Sequence, residues 1–342
     1  MQQHGVGDLV VDSVTGVELT LALAGPGARC YAFTGGRNTQ GVVIARGERI
    51  VGEWYAPGRD ASTLATSFSM AKSVSSTLIG ILVDRGAIPG LDVRLGGYFP
   101  EWADTLRASM TLRDLLAMRS GLAPDDSDKL AGLFLAPDQL GHAISQPLEA
   151  APGDEFAYSS YASMLLARII ERASGDTVAG FARAALFDPI GMNAAWWTDQ
   201  TGRALTYCCI DATARDFARF GLLMARGGVW DGHHVVSRAW IDRATASIPE
   251  NNGGIYALHW WTDLQDLMVG GQRVPSFSAI GYNTQRIDVF PTLDLVIVRT
   301  GDYDFRSDSQ RIAGAGDYPH SEGPSWWDAR EFAQRVLRSV VP

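Results

Sequence analysis

Amine chemistry in this chain depends on two side chains. Lysine occurs only at Lys72 and Lys129, although the sequence has 29 Lys and Arg residues in total. Lys72 follows Ser69 by three residues, at the point where a polar segment passes into an apolar one. Residues three apart share one face of a helix, so the amine can reach the hydroxyl. The pair predicts a serine nucleophile with a lysine base, and it is equally compatible with a helix cap followed by a solvated lysine.

The helix that would position this pair begins near Ser69. Large apolar residues recur at three- and four-residue steps from Met70 to Asp84, and Gly86 suits the C-terminal end of such a helix. A serine at a helix N-terminus has its hydroxyl and its own N–H in the positive end of the helix dipole. That position favours an attacking alkoxide and an oxyanion.

A second motif lies downstream, where residues 152–160 read Pro-Gly-Asp-Glu-Phe-Ala-Tyr-Ser-Ser. Together with Ser69-x-x-Lys72, it resembles the serine hydrolases of the β-lactamase and penicillin-binding protein superfamily. In that superfamily a Pro-Gly-x-x-Phe-x-Tyr-x-Asn segment supplies the second active-site element. The resemblance, which is to the class C β-lactamases in particular, implies that Tyr158 is catalytic. Ser160 stands where the family usually has Asn.

The resemblance covers about residues 41 to 300 in the same chain order. Five further segments are similar to family segments: Gly41 to Tyr55, Thr111 to Leu122, Phe187 to Met192, Thr213 to Gly221 and Tyr256 to Trp261. The resemblance implies an α/β (α+β) fold of the β-lactamase/transpeptidase-like type. Such a fold has an antiparallel sheet flanked by helices, with a mostly helical lobe beside it.

The third active-site element departs from the β-lactamases, which carry Lys-Thr-Gly on the strand beside the site. No lysine follows Lys129, so this form is excluded. Arg299-Thr300-Gly301 ends the second strand of the last predicted hairpin, whereas the family motif precedes the first. A better match is Gly281 to Gln285, which reads Gly-Tyr-Asn-Thr-Gln. It resembles the Gly-x-x-Gly-Gln segment of 6-aminohexanoate-dimer hydrolases and their esterase relatives, the family VIII carboxylesterases.

This resemblance implies an oxyanion hole made by the backbone N–H groups of Ser69 and Tyr282. We expect substrate-binding contacts from five residues: Ser160, Gly281, Asn283, Gln285 and Trp260. The missing third lysine removes a cation that binds the β-lactam carboxylate. We therefore expect short linear amides or esters as substrates, with at most weak turnover of β-lactams.

The base that activates Ser69 is open at this point. None of the six histidines lies in a recognisable triad setting, and no Gly-x-Ser-x-Gly elbow occurs. A lysine at its ordinary pKa of about 10.4 is almost fully protonated at pH 7, so burial must lower the pKa of Lys72 for it to act as the base. Alternatively, Lys72 stays charged and holds Tyr158 as a phenolate. The two groups are best treated as one titrating pair.

Composition excludes several classes of partner. The formal net charge is −9 with no basic stripe, which argues against nucleic acid and anionic membranes. No segment reaches the roughly 18 apolar residues of a membrane span, and the first basic residue, Arg29, comes too late for a signal peptide. Three cysteines, two of them adjacent, argue against a disulfide scaffold and favour a cytoplasmic location. No CxxC or HExxH motif occurs, and we expect no metal and no cofactor.

Local patterns outline the elements around the motifs. Two capping boxes, Thr111 with Asp114 and Thr213 with Asp216, predict helix starts, and Thr111 would start a helix that runs to about Arg119. Strands and a terminal amphipathic helix are predicted at Val42 to Ala45, Ile50 to Trp54, Arg286 to Phe290, Leu295 to Thr300 and Trp326 to Val340. The order predicts a sheet-containing lobe from residues 1–68 with 245–342, and a mostly helical lobe from 69–244. The ligand cleft would lie between them.

The sequence therefore predicts a serine hydrolase, an amidase or carboxylesterase that works through a Ser69 acyl-enzyme. Its catalytic residues would be Ser69, Lys72 and Tyr158, and its partner a small amide or ester. An acyltransferase on the same scaffold, a weak β-lactamase and a non-catalytic penicillin-binding-like sensor are the alternatives. The oligomeric state is open, with a homodimer as one option.

Overall fold

The structure is a computed structural model, and it describes residues 10–11, 39–103, 105–263, 266–301 and 328–340. Its strands are β1 (Val10–Val11), β2 (Thr39–Arg46), β3 (Arg49–Tyr55), β4 (Leu64–Thr66), β5 (Ala194–Trp196), β6 (Ile210–Thr213), β7 (Val229–Trp230), β8 (His233–His234), β9 (Trp261–Thr262), β10 (Met268–Val269), β11 (Gln272–Arg273), β12 (Phe277–Gly281), β13 (Gln285–Phe290) and β14 (Leu295–Gly301). Its α-helices are α1 (Met70–Asp84), α2 (Leu112–Leu116), α3 (Ser127–Leu135), α4 (Gln139–Ser145), α5 (Ser160–Ser174), α6 (Val178–Ala182), α7 (Ala214–Ala225), α8 (Arg238–Ala244) and α9 (Ala329–Val340).

A central sheet joins both ends of the described chain, in the order β1-β3-β2-β14-β13-β12-β9. Neighbouring strands pair antiparallel, except that β1 at one edge runs parallel to β3. The early hairpin therefore lies beside the late one, as the chain order predicts. A smaller sheet, β4-β6-β5, carries the segment that leads into α1.

The two faces of the central sheet are covered by different helices. Successive side chains of a strand point to opposite faces, so Val43 and Ala45 join the main core with α1 and α7. Val42 and Ile44 point the other way and pack with Phe332, Val336 and Leu337 of α9 and their neighbours. The sheet is thus buried on both sides. α1 is a core helix, and all but its last two residues are buried.

Local sequence signals predict several element boundaries well. α1 spans the predicted residues, Gly175 ends α5 in the left-handed region at φ 72°, and the Thr111–Asp114 capping box is complete. α2 nevertheless ends at Leu116 instead of near Arg119, because Met118 already has φ 57°. The first residues predicted for the terminal helix, including Trp326, lie outside the described residues.

The main hydrophobic core contains residues from both predicted lobes, and the division into lobes stays a prediction. Cys208 and Cys209 are buried in this core, with their sulfur atoms in contact. A link between chain neighbours joins no distant segments, so it does not form a scaffold. No helix in the described ranges is long and apolar enough to cross a membrane.

Candidate active site

Ser69 occupies the N-cap position of α1, yet its side chain makes no capping hydrogen bond. The preceding residue, Phe68, has φ 45°, so the chain turns sharply just before the helix. This turn is held to β6, since Ser67 N–H donates to Ile210 O and Ile210 N–H donates to Ser67 Oγ, each at 2.8 Å. Ser69 is partly exposed, and its hydroxyl is therefore available for chemistry.

Lys72 lies one turn into α1 and is only 1% exposed. Its Nζ is 3.1 Å from Ser69 Oγ, 3.2 Å from Ser160 Oγ and 3.0 Å from the backbone oxygen of Tyr207. These contacts exclude the alternative of a solvated first-turn lysine. Tyr207 comes from the segment before β6, and sequence reasoning did not identify it as a site residue.

Burial changes the proton affinity of this amine. Loss of solvent lowers the pKa of Lys72 to about 8, and the negative charge of Asp125 opposes that effect. At a pKa of 8, about one tenth of the lysines are neutral at pH 7, compared with far below 1% for an exposed lysine. The site thus contains a usable population of neutral amine next to a serine hydroxyl.

Tyr158 faces the same amine, with its ring centroid 4.8 Å from Lys72 Nζ. The segment before it is held by Arg119, whose guanidinium donates to the backbone oxygens of Gly153 and Asp154 at 2.7 and 2.8 Å. The backbone next to Tyr158 is also held, because Ala157 N–H donates to Met118 O at 2.7 Å. The structure therefore brings the three predicted catalytic residues, Ser69, Lys72 and Tyr158, together at one place.

Ser160 is buried behind this group at the start of α5. Its hydroxyl donates to Asp125 Oδ2 at 2.7 Å, and its backbone N–H donates to Asp125 Oδ1 at 2.6 Å. Asp125 N–H in turn donates to Tyr158 O at 2.8 Å. Ser160 was predicted as a substrate-binding residue, and in this structure its polar atoms contact Lys72 and Asp125.

The end of β12 lies against the turn that carries Ser69. A Cβ atom on Gly281 would collide with Ser67 O and would lie 3.1 Å from the Ser69 nitrogen. Only glycine allows this approach, because the neighbouring atoms belong to the backbone. Tyr282, the next residue, packs edge-on against the Phe68 ring at 5.7 Å. The backbone at Gly281, directly before Tyr282, is therefore packed against the backbone of Ser67 and Ser69.

The other residues of this motif brace the turn. Both Asn283 and Thr284 have positive φ, at 57° and 55°, and Arg299 Nη1 donates to Asn283 O and Thr284 Oγ1. Gln285 is buried, and its amide exchanges two hydrogen bonds with the backbone of Gly301, at 2.7 and 2.9 Å. The structure therefore corrects the prediction that the Gln285 side chain contacts substrate. This side chain instead joins β13 to the end of β14 by hydrogen bonds. Arg299, set aside on its position in the sequence, supports the motif from the neighbouring strand.

The structure also corrects the prediction that Trp260 binds substrate. Trp260 is 0% exposed and packs in the core against Phe220 and Phe277, with ring centroids 5.9 and 5.1 Å away. Its neighbour Trp261 instead stacks with Tyr158 at 6.0 Å and is partly exposed. The two neighbouring tryptophans therefore point in different directions, and Trp261 is the one that faces Tyr158.

His259 lies directly behind Lys72 but does not reach the nucleophile. Its Nδ1 is 3.2 Å from the backbone oxygen of Lys72, and its Nε2 is 3.3 Å from Ser163 Oγ. Burial first, and the charge of Lys72 second, lower the pKa of His259 to about 3, so the ring is neutral. Within the described residues, no group of three or more His, Cys, Asp or Glu side chains could hold a metal.

Sequence reasoning missed two contributors to this site, Asp125 and Tyr207, and chose Trp260 instead of Trp261 as the tryptophan that binds substrate. Asp125 belongs to none of the motifs, although it follows the Ser-Gly-Leu of the family-like segment by three residues. Gly121 in that segment has φ 75° and packs against the backbone of Ala150. The position of Asp125 just after this close-packed turn is the sequence signal from which its location near the site could have been predicted.

Comparison of this sequence with known proteins identifies a family. The beta-lactamase family model matches residues 29–300. A 6-aminohexanoate-dimer hydrolase from Paenarthrobacter ureafaciens is 28% identical over 295 residues, which cover 76% of this chain and 72% of that protein.

Solved structures show the same fold at lower identity. A Bacillus anthracis protein described as a 6-aminohexanoate-dimer hydrolase has a TM-score of 0.72 at 21% identity, covering 90% of this chain and 88% of its own. A Bacteroides dorei protein described as a beta-lactamase also has a TM-score of 0.72, at 17% identity, covering 91% and 96%. The octameric penicillin-binding protein homologue from Pyrococcus abyssi has a TM-score of 0.63 at 18% identity, covering 78% and 70%. The predicted β-lactamase/transpeptidase-like fold is thus confirmed.

Proposed function

Since the chain belongs to the beta-lactamase family and is a hydrolase, we propose that it cleaves small linear amides or esters through an acyl-enzyme on Ser69. One observation carries this proposal: the Ser69 hydroxyl makes no capping bond and lies 3.1 Å from the buried amine of Lys72. A hydroxyl needs a nearby base to attack a carbonyl, and a neutral lysine supplies one.

In the first half-reaction, Ser69 Oγ attacks the substrate carbonyl carbon while its proton passes to Lys72 Nζ. The carbonyl oxygen becomes an oxyanion, which the N–H groups of Ser69 and Tyr282 stabilise. The proton then passes by way of Tyr158 to the leaving nitrogen or oxygen as the carbon–heteroatom bond breaks. An ester links Ser69 to the acyl group at this stage.

The second half-reaction reverses the proton path. Water replaces the leaving group, gives its proton to the Lys72–Tyr158 pair and attacks the acyl carbon. Collapse of the second oxyanion releases the acid and restores the Ser69 hydroxyl. We propose linear substrates because the third motif has no lysine to bind a β-lactam carboxylate, and because the relative named above acts on an amide dimer.

The proposal is tested with Ser69→Ala on a panel of p-nitrophenyl esters, a linear 6-aminohexanoate dimer and a β-lactam. We expect wild-type protein to hydrolyse a linear substrate and to gain the mass of the acyl group at Ser69. Ser69→Ala should lose several orders of magnitude in kcat and should not be acylated.

Ser62→Ala is the matched control, because Ser62 is an exposed serine in a turn just before the same segment. It should keep wild-type kcat. Undiminished hydrolysis by purified Ser69→Ala, or acylation at another residue, would refute the assignment of the nucleophile.

A further inference from the structure

Ser160 connects the amine of Lys72 to a carboxylate on another part of the chain. Ser160 Oγ lies 3.2 Å from Lys72 Nζ and 2.7 Å from Asp125 Oδ2. The other carboxylate oxygen, Oδ1, accepts the Ser160 N–H at 2.6 Å. Both carboxylate oxygens are therefore occupied by donors of a single residue, which fixes the orientation of that residue relative to the carboxylate.

The direction of each hydrogen bond follows from the chemistry of its partners. A carboxylate only accepts, so the Ser160 hydroxyl hydrogen points at Asp125 and its lone pairs are left to accept from Lys72. The Tyr207 oxygen is also an acceptor and takes a second Lys72 N–H at 3.0 Å. The third direction on the Lys72 nitrogen faces Ser69 Oγ. In neutral Lys72, that direction holds the lone pair.

We propose that Asp125 is a positioning residue that acts through Ser160 to aim the lone pair of neutral Lys72 at Ser69. This inference rests on the proposed function, in which Lys72 takes the Ser69 proton. Asp125 itself touches neither Ser69 nor a substrate atom in this proposal. Its task is to keep the Ser160 hydroxyl hydrogen away from the lone pair that must receive the Ser69 proton.

The charges around Lys72 single out Asp125. The titratable side chains that act on Lys72 from other elements are Tyr158, Asp125, Tyr207 and His259. Tyr256 packs edge-on against Tyr158. Burial raises the pKa of Tyr207 and Tyr256 and lowers that of His259, so these three are neutral near pH 7. Asp126, next to Asp125 in the chain, is exposed and pairs with the partly exposed Lys129. Burial raises the pKa of Asp125, whereas the charge of Lys72 and the two hydrogen bonds from Ser160 lower it. Among the described residues, Asp125 is the group whose negative charge raises the pKa of Lys72.

Asp125→Asn separates charge from shape and gives two expected effects. Loss of the negative charge removes the influence that raises the pKa of Lys72, so the acidic limb of the rate profile should move to lower pH. The amide oxygen must accept the Ser160 N–H, which turns the amide NH2 toward Ser160 Oγ. The Ser160 hydroxyl hydrogen then points at the Lys72 lone pair and competes with Ser69, so the plateau of kcat should fall at least about tenfold.

The experiment measures kcat and kcat/KM for p-nitrophenyl butyrate from pH 5.5 to 9.5 in wild type, Asp125→Asn, Asp125→Glu and Asp126→Asn. The wild-type acidic limb is expected near pH 8, the pKa of Lys72. Asp125→Asn should show a lower plateau of kcat and an acidic limb shifted to lower pH. Asp125→Glu restores the charge and should return the acidic limb toward pH 8. Asp126→Asn is the matched control, because asparagine keeps the cap that Asp126 provides to α3 and the residue is exposed.

Ser160→Ala is the second variant and covers the case in which Asp125→Asn does not fold. It removes the bridge but keeps the carboxylate, so the plateau should fall without a shift of the limb to lower pH. A limb that stays at its wild-type position in folded Asp125→Asn, or full kcat in Ser160→Ala, would overturn the inference. Intact-mass measurement of Ser69 acylation distinguishes the two proposals. If Ser69 is acylated but the acidic limb of Asp125→Asn stays at its wild-type pH, only the role of Asp125 is contradicted. If Ser69 of the wild-type protein is not acylated, both proposals are contradicted.

Discussion

Lys72 and Lys129 carry the same amine in opposite surroundings. Lys129 is partly exposed and pairs with Glu149 at 2.7 Å, and the hydrogen bond to this carboxylate raises the pKa of Lys129. Lys72 is buried among hydroxyls and a backbone oxygen, and burial lowers its pKa to about 8. Solvation therefore separates a surface ion pair from a potential catalytic base, because the charged form of an amine is penalised where water is excluded.

The adjacent tryptophans allow a residue-scale prediction. Trp260→Ala leaves a large cavity in the core and should cost about 3–5 kcal/mol in the free energy of unfolding. Trp261→Ala, at a partly exposed position that stacks on Tyr158, should cost less stability and should lower kcat by loosening Tyr158. Urea denaturation together with kcat per folded molecule measures both effects. A larger loss of stability in Trp261→Ala than in Trp260→Ala would contradict the assignment of core and site faces.

At the level of elements, the site forms where α1, α5 and β12 meet. α1 supplies Ser69 and Lys72 on one face, and the segment entering α5 supplies Tyr158 and Ser160. The end of β12 approaches the turn before α1 closely enough that a side chain at Gly281 does not fit. The proposed oxyanion hole thus depends on how a strand end and a helix start pack, rather than on either element alone.

Gly281→Ala tests this packing of elements. The added methyl would push the end of β12 away from Ser67 and Ser69, and the Tyr282 N–H would leave the oxyanion position. Loss of one such donor typically costs about 10²–10³ in kcat, and we expect a loss of that order.

The control for this glycine is Gly97→Ala, where an added Cβ meets nothing within 4 Å and φ is not positive. It should keep wild-type kcat. Circular dichroism and thermal unfolding check that both variants are folded. Wild-type kcat in folded Gly281→Ala would argue against an oxyanion hole at Tyr282.

At the scale of the whole molecule, the central sheet is stable only when both of its faces are covered. α9 buries Phe332, Val336 and Leu337 on the face opposite α1 and α7. Ser69 and Lys72 lie with α1 on the other side of the sheet, so α9 contributes to stability from the face opposite the candidate site. The two ends of the described chain thus contribute to one fold.

Leu337→Ala should destabilise the protein by about 2–5 kcal/mol, because the side chain is completely buried between α9 and the sheet. Its neighbour Arg338 is exposed, and Arg338→Ala should change stability by no more than about 0.5 kcal/mol. Denaturant unfolding gives both values, and kcat per folded molecule should match wild type in each. Equal stability of the two variants would show that α9 does not cover the sheet as described.

Much of the fold could be predicted from the sequence because the signals are local. The apolar period of α1, the hairpins that form β2 with β3 and β13 with β14, and the capping box at Thr111 each depend on residues a few positions apart. The Ser69–Lys72 pair belongs to the same class, since one helical turn by itself brings the two side chains together.

Only the tertiary structure decided which polar and aromatic residues complete the site. Asp125 meets Ser160 across 35 residues, Lys72 meets Ser160 across 88, and Lys72 reaches Tyr207 O across 135. Trp260 and Gln285 have the right types in the right segments, but packing turned one into the core and bound the other to Gly301. The sequence by itself determined that the Ser69 hydroxyl and the Lys72 amine are neighbours, and which elements carry them, because helix and strand geometry relate near neighbours. The surroundings that lower the pKa of this amine come from contacts between distant segments, and these depend on how the whole chain packs.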